Sequence, residues 1–125
     1  MNWLAVGVGA ALGAWGRHAL GILLNPLLRP LPLGTLAANL VGGFLMGMVM
    51  AWLMRVPTVS PELRLFITTG FLGGLTTFSA FSGETVALLL REEYLWAFGA
   101  ISLHLGGSIA MTFAGYFLMQ ALQPA

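Results

Sequence analysis

The segment from Gly70 to Glu84 contains the residues whose types and spacing are best suited to contacts with ions. Two adjacent glycines precede two adjacent threonines, and two phenylalanines follow them. Glycine and β-branched residues are poor helix formers, so this order predicts a break in a helix. Carbonyl oxygens freed by the break could coordinate a cation, and two copies of the break facing each other across a two-fold axis would bring four carbonyls together.

Phe78, Phe81 and Thr85 lie on one face of the helix after the predicted break, because they are spaced by three and four residues. A phenyl ring is electropositive at its edge, so ring edges aimed into a narrow path could contact a small anion. Weak contacts of this kind suit conduction. The same spacing equally suits ordinary packing in a helical bundle or against lipid.

Polar side chains in the other apolar segments are further candidates. Asn39 can donate from its amide to an anion, or it can bond to a neighbouring helix. Ser108 and Thr112 are four residues apart, and Ser79 and Ser82 add hydroxyl groups. These residues could line a polar track, although serine and threonine in membrane helices usually bond to carbonyls of their own helix.

Glu84 and His104 are ionisable groups at membrane depth, where such residues are functional candidates by default. A structural hydrogen bond from a neighbouring helix would equally explain Glu84. A packed, neutral imidazole would equally explain His104. The sequence therefore gives neither residue a role.

The elements that must position these residues are membrane helices. Hydrophobic residues make up 58% of the 125 positions and charged residues 7%, which is too little charge for a soluble domain. The apolar residues form long runs, each close to the roughly 20 helical residues that cross a bilayer. No cysteine is present, so disulfides and thiolate metal sites are excluded.

The sequence therefore predicts an all-α membrane protein with a single four-helix transmembrane domain over residues 1–125. The expected spans are about 3–24, 33–54, 65–90 and 95–122, and the third is broken near its middle. No nucleophile, base and orienting acid cluster in the sequence, which argues against an enzyme. The arginines are scattered and lysine is absent, which argues against nucleic-acid binding.

The arginines also bear on orientation. With four spans, Arg55 and Arg64 share a side with both termini, whereas Arg29 and Arg91 lie on the other side. The usual cytoplasmic excess of positive charge nearly vanishes. Such a chain could insert both ways and form an antiparallel homodimer about a two-fold axis in the membrane plane. A single orientation, set by Arg17 or by a partner protein, is the alternative.

The stretches Gly34 to Gly42 and Gly70 to Glu84 resemble the two signature stretches of the Fluc (CrcB) family of fluoride channels, and Arg17 matches the first-span arginine of that family. The resemblance covers the whole chain. It implies a passive, fluoride-selective channel in the bacterial cytoplasmic (inner) membrane that lets fluoride leave and confers fluoride resistance. It further implies a dual-topology antiparallel homodimer with two pores, in which Arg17 lies near the aqueous vestibule.

The resemblance also assigns pore residues. Phe78 and Phe81 correspond to the pore phenylalanines whose ring edges contact fluoride, and Asn39 corresponds to the pore-lining asparagine. Ser108 and Thr112 match the polar track of the fourth span. These roles are expectations that follow from the resemblance.

A structural sodium ion at the dimer interface is implied in the same way. The backbone carbonyls of Gly73 and Thr76 from both subunits would hold it. Ala80 stands where many relatives have a hydroxyl residue, so that part of the anion path would rely on Ser79 or Thr77.

Two other functions are weighed against this one. A small multidrug-resistance exporter is also a short four-span protein, but proton-coupled cation export in that family needs a glutamate in the first span. Here the first span has Arg17 and His18 and no acid. A purely structural membrane subunit would explain the spans but not the pattern of the third one.

Overall fold

The computed structural model describes residues 1–124, which are almost entirely helical. Four long helical stretches follow one another along the chain. They are α1 (Asn2–Leu24), α2 (Leu33–Arg55), a third stretch divided into α3 (61–75) and α4 (Phe78–Leu90), and α5 (Tyr94–Leu122). The predicted all-α class with four long helices is confirmed.

Three of the four stretches are long and apolar enough to cross a membrane, namely Leu33–Arg55, Pro61–Leu90 and Tyr94–Leu122. α1 has the same length as α2, 23 residues, but Arg17 and His18 lower its mean hydropathy. Large apolar side chains are exposed on all four stretches. An apolar outer surface of this kind matches a chain that is surrounded by lipid.

The third stretch is broken near its middle, as the sequence predicts. Thr76 and Thr77 have extended backbone angles. Gly73 and Gly74 stay helical, so the threonines form the break and the glycines do not. Gly74 serves packing instead, because a Cβ atom at this position would lie 2.9 Å from the Cα of Ala10 in α1.

Two segments of π-helix lie within the long helices, and the sequence did not predict them. Phe66–Leu72 belongs to α3, and Ser102–Gly107 belongs to α5. A π-helix is wound more loosely than an α-helix and so changes the direction in which the following side chains point. Such segments occur often at functional sites.

Two hydrogen bonds fix the starts of helices. The third stretch begins at Pro61, earlier than the expected 65, because the Ser60 hydroxyl caps it by accepting from Leu63 N–H at 3.2 Å. At the start of α2, Gly34 N–H donates to the Asn25 side chain at 2.7 Å. Asn25 thereby ties the end of α1 to α2.

Glycines bring the helices together in two close pairs. Gly9 and Gly13 of α1 contact α3, and Gly43 and Gly47 of α2 contact α5. A Cβ atom on Gly13 would lie 2.6 Å from the backbone nitrogen of Leu75. Glycines spaced four apart thus allow these helix backbones to approach closely.

Candidate functional site

Asn39 on α2 is bonded to the break by both ends of its carboxamide. Its Oδ1 accepts from Thr77 N–H at 2.8 Å, and its Nδ2 donates to the Thr77 carbonyl at 3.1 Å. Nδ2 also lies 2.9 Å from His104 Nδ1. The carboxamide replaces helical hydrogen bonds that the break removes, at a depth where no bulk water can do so. Of the two roles left open for Asn39, the interhelical hydrogen bond is present.

The break also frees the carbonyl groups of Gly73 and Thr76. In a continuous α-helix, the carbonyls of Gly73 and Thr76 would accept from the N–H groups of Thr77 and Ala80. Here Thr77 N–H donates to Asn39, and Ala80 N–H donates to Thr77 Oγ1 at 3.1 Å. Gly73 and Thr76 therefore lack the partners that a continuous helix would supply.

Arg17 supports the same turn from α1. Its Nε donates to the Gly74 carbonyl at 3.2 Å, and the side chain is half-buried. The bond satisfies a third carbonyl whose helical partner would have been Phe78 N–H. Arg17 thus fixes the last turn of α3 against α1.

α4 starts at the break and carries the two phenylalanines. Thr77 caps it through the bond to Ala80 N–H. The rings of Phe78 and Phe81 meet edge to face, with centroids 5.4 Å apart and planes at 67°. They share a face as expected, but Phe81 is 6% exposed and Phe78 is 71% exposed. Only Phe81 is buried within this chain.

Thr85 and Ser79 flank these rings without a bond to another helix. The Thr85 hydroxyl is buried and donates to the Phe81 carbonyl at 2.8 Å, within its own helix. The Ser79 hydroxyl is exposed, 3.4 Å from Thr77 Oγ1. Both hydroxyls therefore interact with residues close to them in the sequence.

His104 is the buried residue to which sequence reasoning assigned no role. It is 3% exposed, and its ring lies 4.6 Å from the Phe81 ring at an angle of 32°. Among residues 1–124, no partner contacts its Nε2 atom. The only sequence signal was an ionisable residue at membrane depth, whereas its contacts with Asn39 and Phe81 depend on the fold.

A cavity of about 380 Å³ lies where the break, α2 and α5 meet. Its lining includes most of the residues expected at the site: Asn39, Gly73, Thr76, Phe78, Phe81, Ser108 and Thr112. His104 lines it as well. Arg17 and Ser79 do not belong to the described lining, so the structure brings together seven of the nine expected residues and leaves these two outside.

Ser108 and Thr112 stand one turn apart on the α5 wall of the cavity. The Thr112 hydroxyl donates to the Ser108 carbonyl at 2.9 Å, which is the usual local bond of threonine in a membrane helix. Its oxygen keeps its lone pairs for a further donor. The two residues thus give this wall a polar strip.

Glu84, which follows the two phenylalanines on α4, is hydrogen-bonded to α2. The Thr35 hydroxyl donates to Glu84 Oε2 at 2.6 Å, so the structural hydrogen bond that was considered for Glu84 is present. Its other oxygen, Oε1, is buried and has no partner among the described residues.

Comparison with known proteins identifies the family. The model of the family described as CrcB-like protein, Camphor Resistance (CrcB), matches residues 4–116. A relative from Aromatoleum aromaticum, named fluoride-specific ion channel FluC, is 57% identical over 91% of this chain and 87% of its own length. Relatives of the same name from Pseudomonas syringae pv. maculicola and Nitrosospira multiformis are 54% and 56% identical, over 95% and 94% of this chain and 94% and 92% of their own.

These matches extend over nearly the whole chain and include both stretches on which the resemblance was based. Together with its apolar helices, they make the chain a multi-pass membrane protein. The expected family is confirmed: the chain belongs to the CrcB family.

Proposed function

We propose that this protein is a fluoride-selective channel through which cytoplasmic fluoride leaves the cell passively, and that it is not an enzyme. The observation that carries the proposal is the close similarity, along nearly the full length, to relatives named fluoride-specific ion channel FluC. In this proposal, the protein resides in a bacterial inner membrane and confers fluoride resistance.

The proposed anion path follows the cavity beside the break. Phe78 and Phe81 line it from α4, and Ser108 and Thr112 line it from α5. Electropositive ring edges and the Ser108 O–H donor would attract a small anion without holding it tightly, whereas the Thr112 proton is used by the Ser108 carbonyl. Asn39 contributes through the break that it stabilises, because its amide nitrogen donates to the Thr77 carbonyl and lies 2.9 Å from His104 Nδ1.

Arg17 and Ser79 have roles outside the cavity in this proposal. Arg17 lies at a vestibule, where its charge raises the local concentration of anions. Its bond to Gly74 uses Nε and leaves the terminal nitrogens of the guanidinium for anions. Ser79, whose hydroxyl is exposed, extends the polar surface towards that entrance.

The functional unit that we propose is an antiparallel homodimer with two pores and four spans in each chain. Exposed helical glycines support it, since a Cβ atom on Gly83 or Gly106 would meet nothing within 4 Å in this chain. A glycine within a helix costs about 0.5–1 kcal/mol relative to alanine, and close approach of a second helix offsets that cost. The exposed ring of Phe78 and the balanced arginines support the same arrangement.

A structural sodium ion fits the break. The described residues hold no group of three His, Asp or Glu side chains that could bind a metal, but the Gly73 and Thr76 carbonyls have lost their helical partners. Carbonyl oxygens of unwound membrane helices are ligands suited to Na⁺. Four of these carbonyls, two from each chain, would hold the ion. Its positive charge would offset their dipoles, and the shared ion would join the two breaks.

Efflux from liposomes tests the channel function. Purified protein is reconstituted in vesicles loaded with potassium fluoride or potassium chloride, and valinomycin carries the compensating potassium current. Fast release of fluoride with negligible release of chloride is expected. Absence of fluoride release from folded protein would contradict the proposal, and proton-driven transport of an organic cation would then be measured.

Trapping one orientation tests the dimer. Several lysines are added to the connections on one side, which should fix the insertion of every chain. We expect this protein to be inactive alone and active when it is expressed with a variant trapped in the opposite orientation. Activity of the single-orientation protein by itself would refute the antiparallel dimer.

A further inference from the structure

The two bonds to the Thr77 peptide identify the oxygen and the nitrogen of the Asn39 carboxamide. Thr77 N–H can only donate and the Thr77 carbonyl can only accept, so Oδ1 must face the N–H and Nδ2 must face the carbonyl. One hydrogen of Nδ2 is used by that carbonyl. The other is directed at His104 Nδ1, 2.9 Å away.

This geometry determines which nitrogen of the His104 ring carries the proton. An amide NH₂ group is only a donor, so Nδ1 must accept, and the proton of the neutral ring must lie on Nε2. With the opposite tautomer, two donors would face each other. The carboxamide could escape that conflict only by turning over, which would break both of its bonds to Thr77.

We infer that His104 is a positioning residue for the helix break, because its Nδ1 acceptor holds the Asn39 carboxamide in the one orientation that binds the Thr77 peptide. Thr77 caps α4, and α4 carries Phe81. His104 also packs on the Phe81 ring at 4.6 Å. One imidazole therefore fixes the start of α4 through Asn39 and fixes the Phe81 ring directly.

The π-helical segment of α5 is part of this arrangement. His104 lies within Ser102–Gly107, where the helix is wound more loosely than an α-helix. The looser winding changes the direction of the side chains while the chain stays helical. The segment thus directs His104 towards Asn39.

Three substitutions separate the two ring nitrogens. His104→Asn places its Oδ1 near the position of Nδ1, so an acceptor for Asn39 is kept. His104→Gln places its polar atoms near the position of Nε2, and His104→Phe keeps a ring against Phe81 with no acceptor. Hydrogen exchange of the Thr77 amide is measured in each variant, together with fluoride efflux.

The expected result is faster Thr77 exchange and a roughly tenfold or greater fall in efflux for His104→Phe and His104→Gln, because a buried donor loses its acceptor. His104→Asn should stay near the wild-type values for both. Wild-type exchange at Thr77 in His104→Phe would overturn the inference. Retained efflux in His104→Gln together with loss in His104→Asn would also overturn it, since Nε2 would then be the important atom.

A measurement on the protein with His104 intact covers the case in which these variants do not fold. The chain has two histidines, so His18→Gln leaves a single imidazole whose nitrogen NMR shifts are unambiguous. We expect a protonated Nε2 and an unprotonated Nδ1, and a protonated Nδ1 would overturn the inference. The efflux comparison rests on the proposed channel function, whereas the exchange and NMR measurements do not, so failure of one is distinguishable from failure of the other.

Discussion

The break and the π segment of α5 depart from regular α-helix in opposite ways. At Thr76 and Thr77 the chain leaves the helix, and side chains from α1 and α2 supply the missing partners. In Ser102–Gly107 the chain stays helical, with π winding. The first region depends for its hydrogen bonds on residues far away in the sequence.

The difference follows from the cost of an unpaired peptide group in lipid, which is several kcal/mol. A break can provide free carbonyls, as at Gly73 and Thr76, only if the other freed groups find partners. A π segment keeps the chain helical and redirects a side chain. In this chain the second region supports the first, because His104 contacts Asn39.

Replacement of Asn39 by alanine should have the largest effect. It removes both bonds to Thr77 and leaves buried polar groups unpaired, which should lower the free energy of unfolding by about 2–4 kcal/mol and reduce fluoride efflux to background. Denaturation in detergent micelles and liposome efflux measure the two quantities.

Asn25→Ala is the matched control for Asn39→Ala. It removes one asparagine bond, to Gly34 N–H at 2.7 Å, at a distance from the break. A loss of about 1 kcal/mol with normal efflux is expected. Equal effects of the two substitutions would contradict the special role of the break.

Replacement of Phe81 by isoleucine should come second. The substitution keeps an apolar side chain but removes the ring edge and the contact with His104. Fluoride efflux should be lost while the protein stays folded. Phe98→Ile, at an exposed position on α5, is the control and should keep its efflux. Unchanged efflux in Phe81→Ile would remove that ring from the mechanism.

Replacement of Gly13 by alanine tests the support that α1 gives to the break. The new Cβ atom would lie 2.6 Å from the backbone nitrogen of Leu75, so α1 must move away, at a cost of about 1–3 kcal/mol. Gly7→Ala on the same helix meets nothing within 4 Å and should stabilise the helix by up to about 1 kcal/mol. Thermal unfolding of both variants distinguishes packing from helix propensity, and equal shifts would contradict the packing argument.

The smallest effect is expected for the two threonines of the break. Thr77→Val removes the cap of α4 and should cost about 1 kcal/mol. Thr76→Val removes only a bond to the Leu72 carbonyl of its own helix and should cost less than about 0.5 kcal/mol. Chemical denaturation of the pair measures the difference, and a larger loss for Thr76 would reverse the assignment of the cap.

Much of the site was predictable because its signals are local. Two threonines after two glycines predict a break, and phenylalanines three apart predict a shared face, whatever the rest of the chain does. The π segments left no comparable signal, because their backbone angles stay close to those of an α-helix. Nothing in the sequence distinguished the buried Phe81 from the exposed Phe78 either, because both lie on the same face of α4.

The sequence by itself determined the membrane class, the four apolar stretches and the position of the break, since hydropathy and local helix propensity depend on neighbouring residues only. The tertiary structure decided which groups the break bonds to. Asn39 meets Thr77 across 38 positions and His104 across 65, and such pairs form only when packed helices bring them within hydrogen-bonding distance. Of the two roles that the sequence leaves open for this carboxamide, the packing of α2 between the break and α5 supplies the bond to a neighbouring helix.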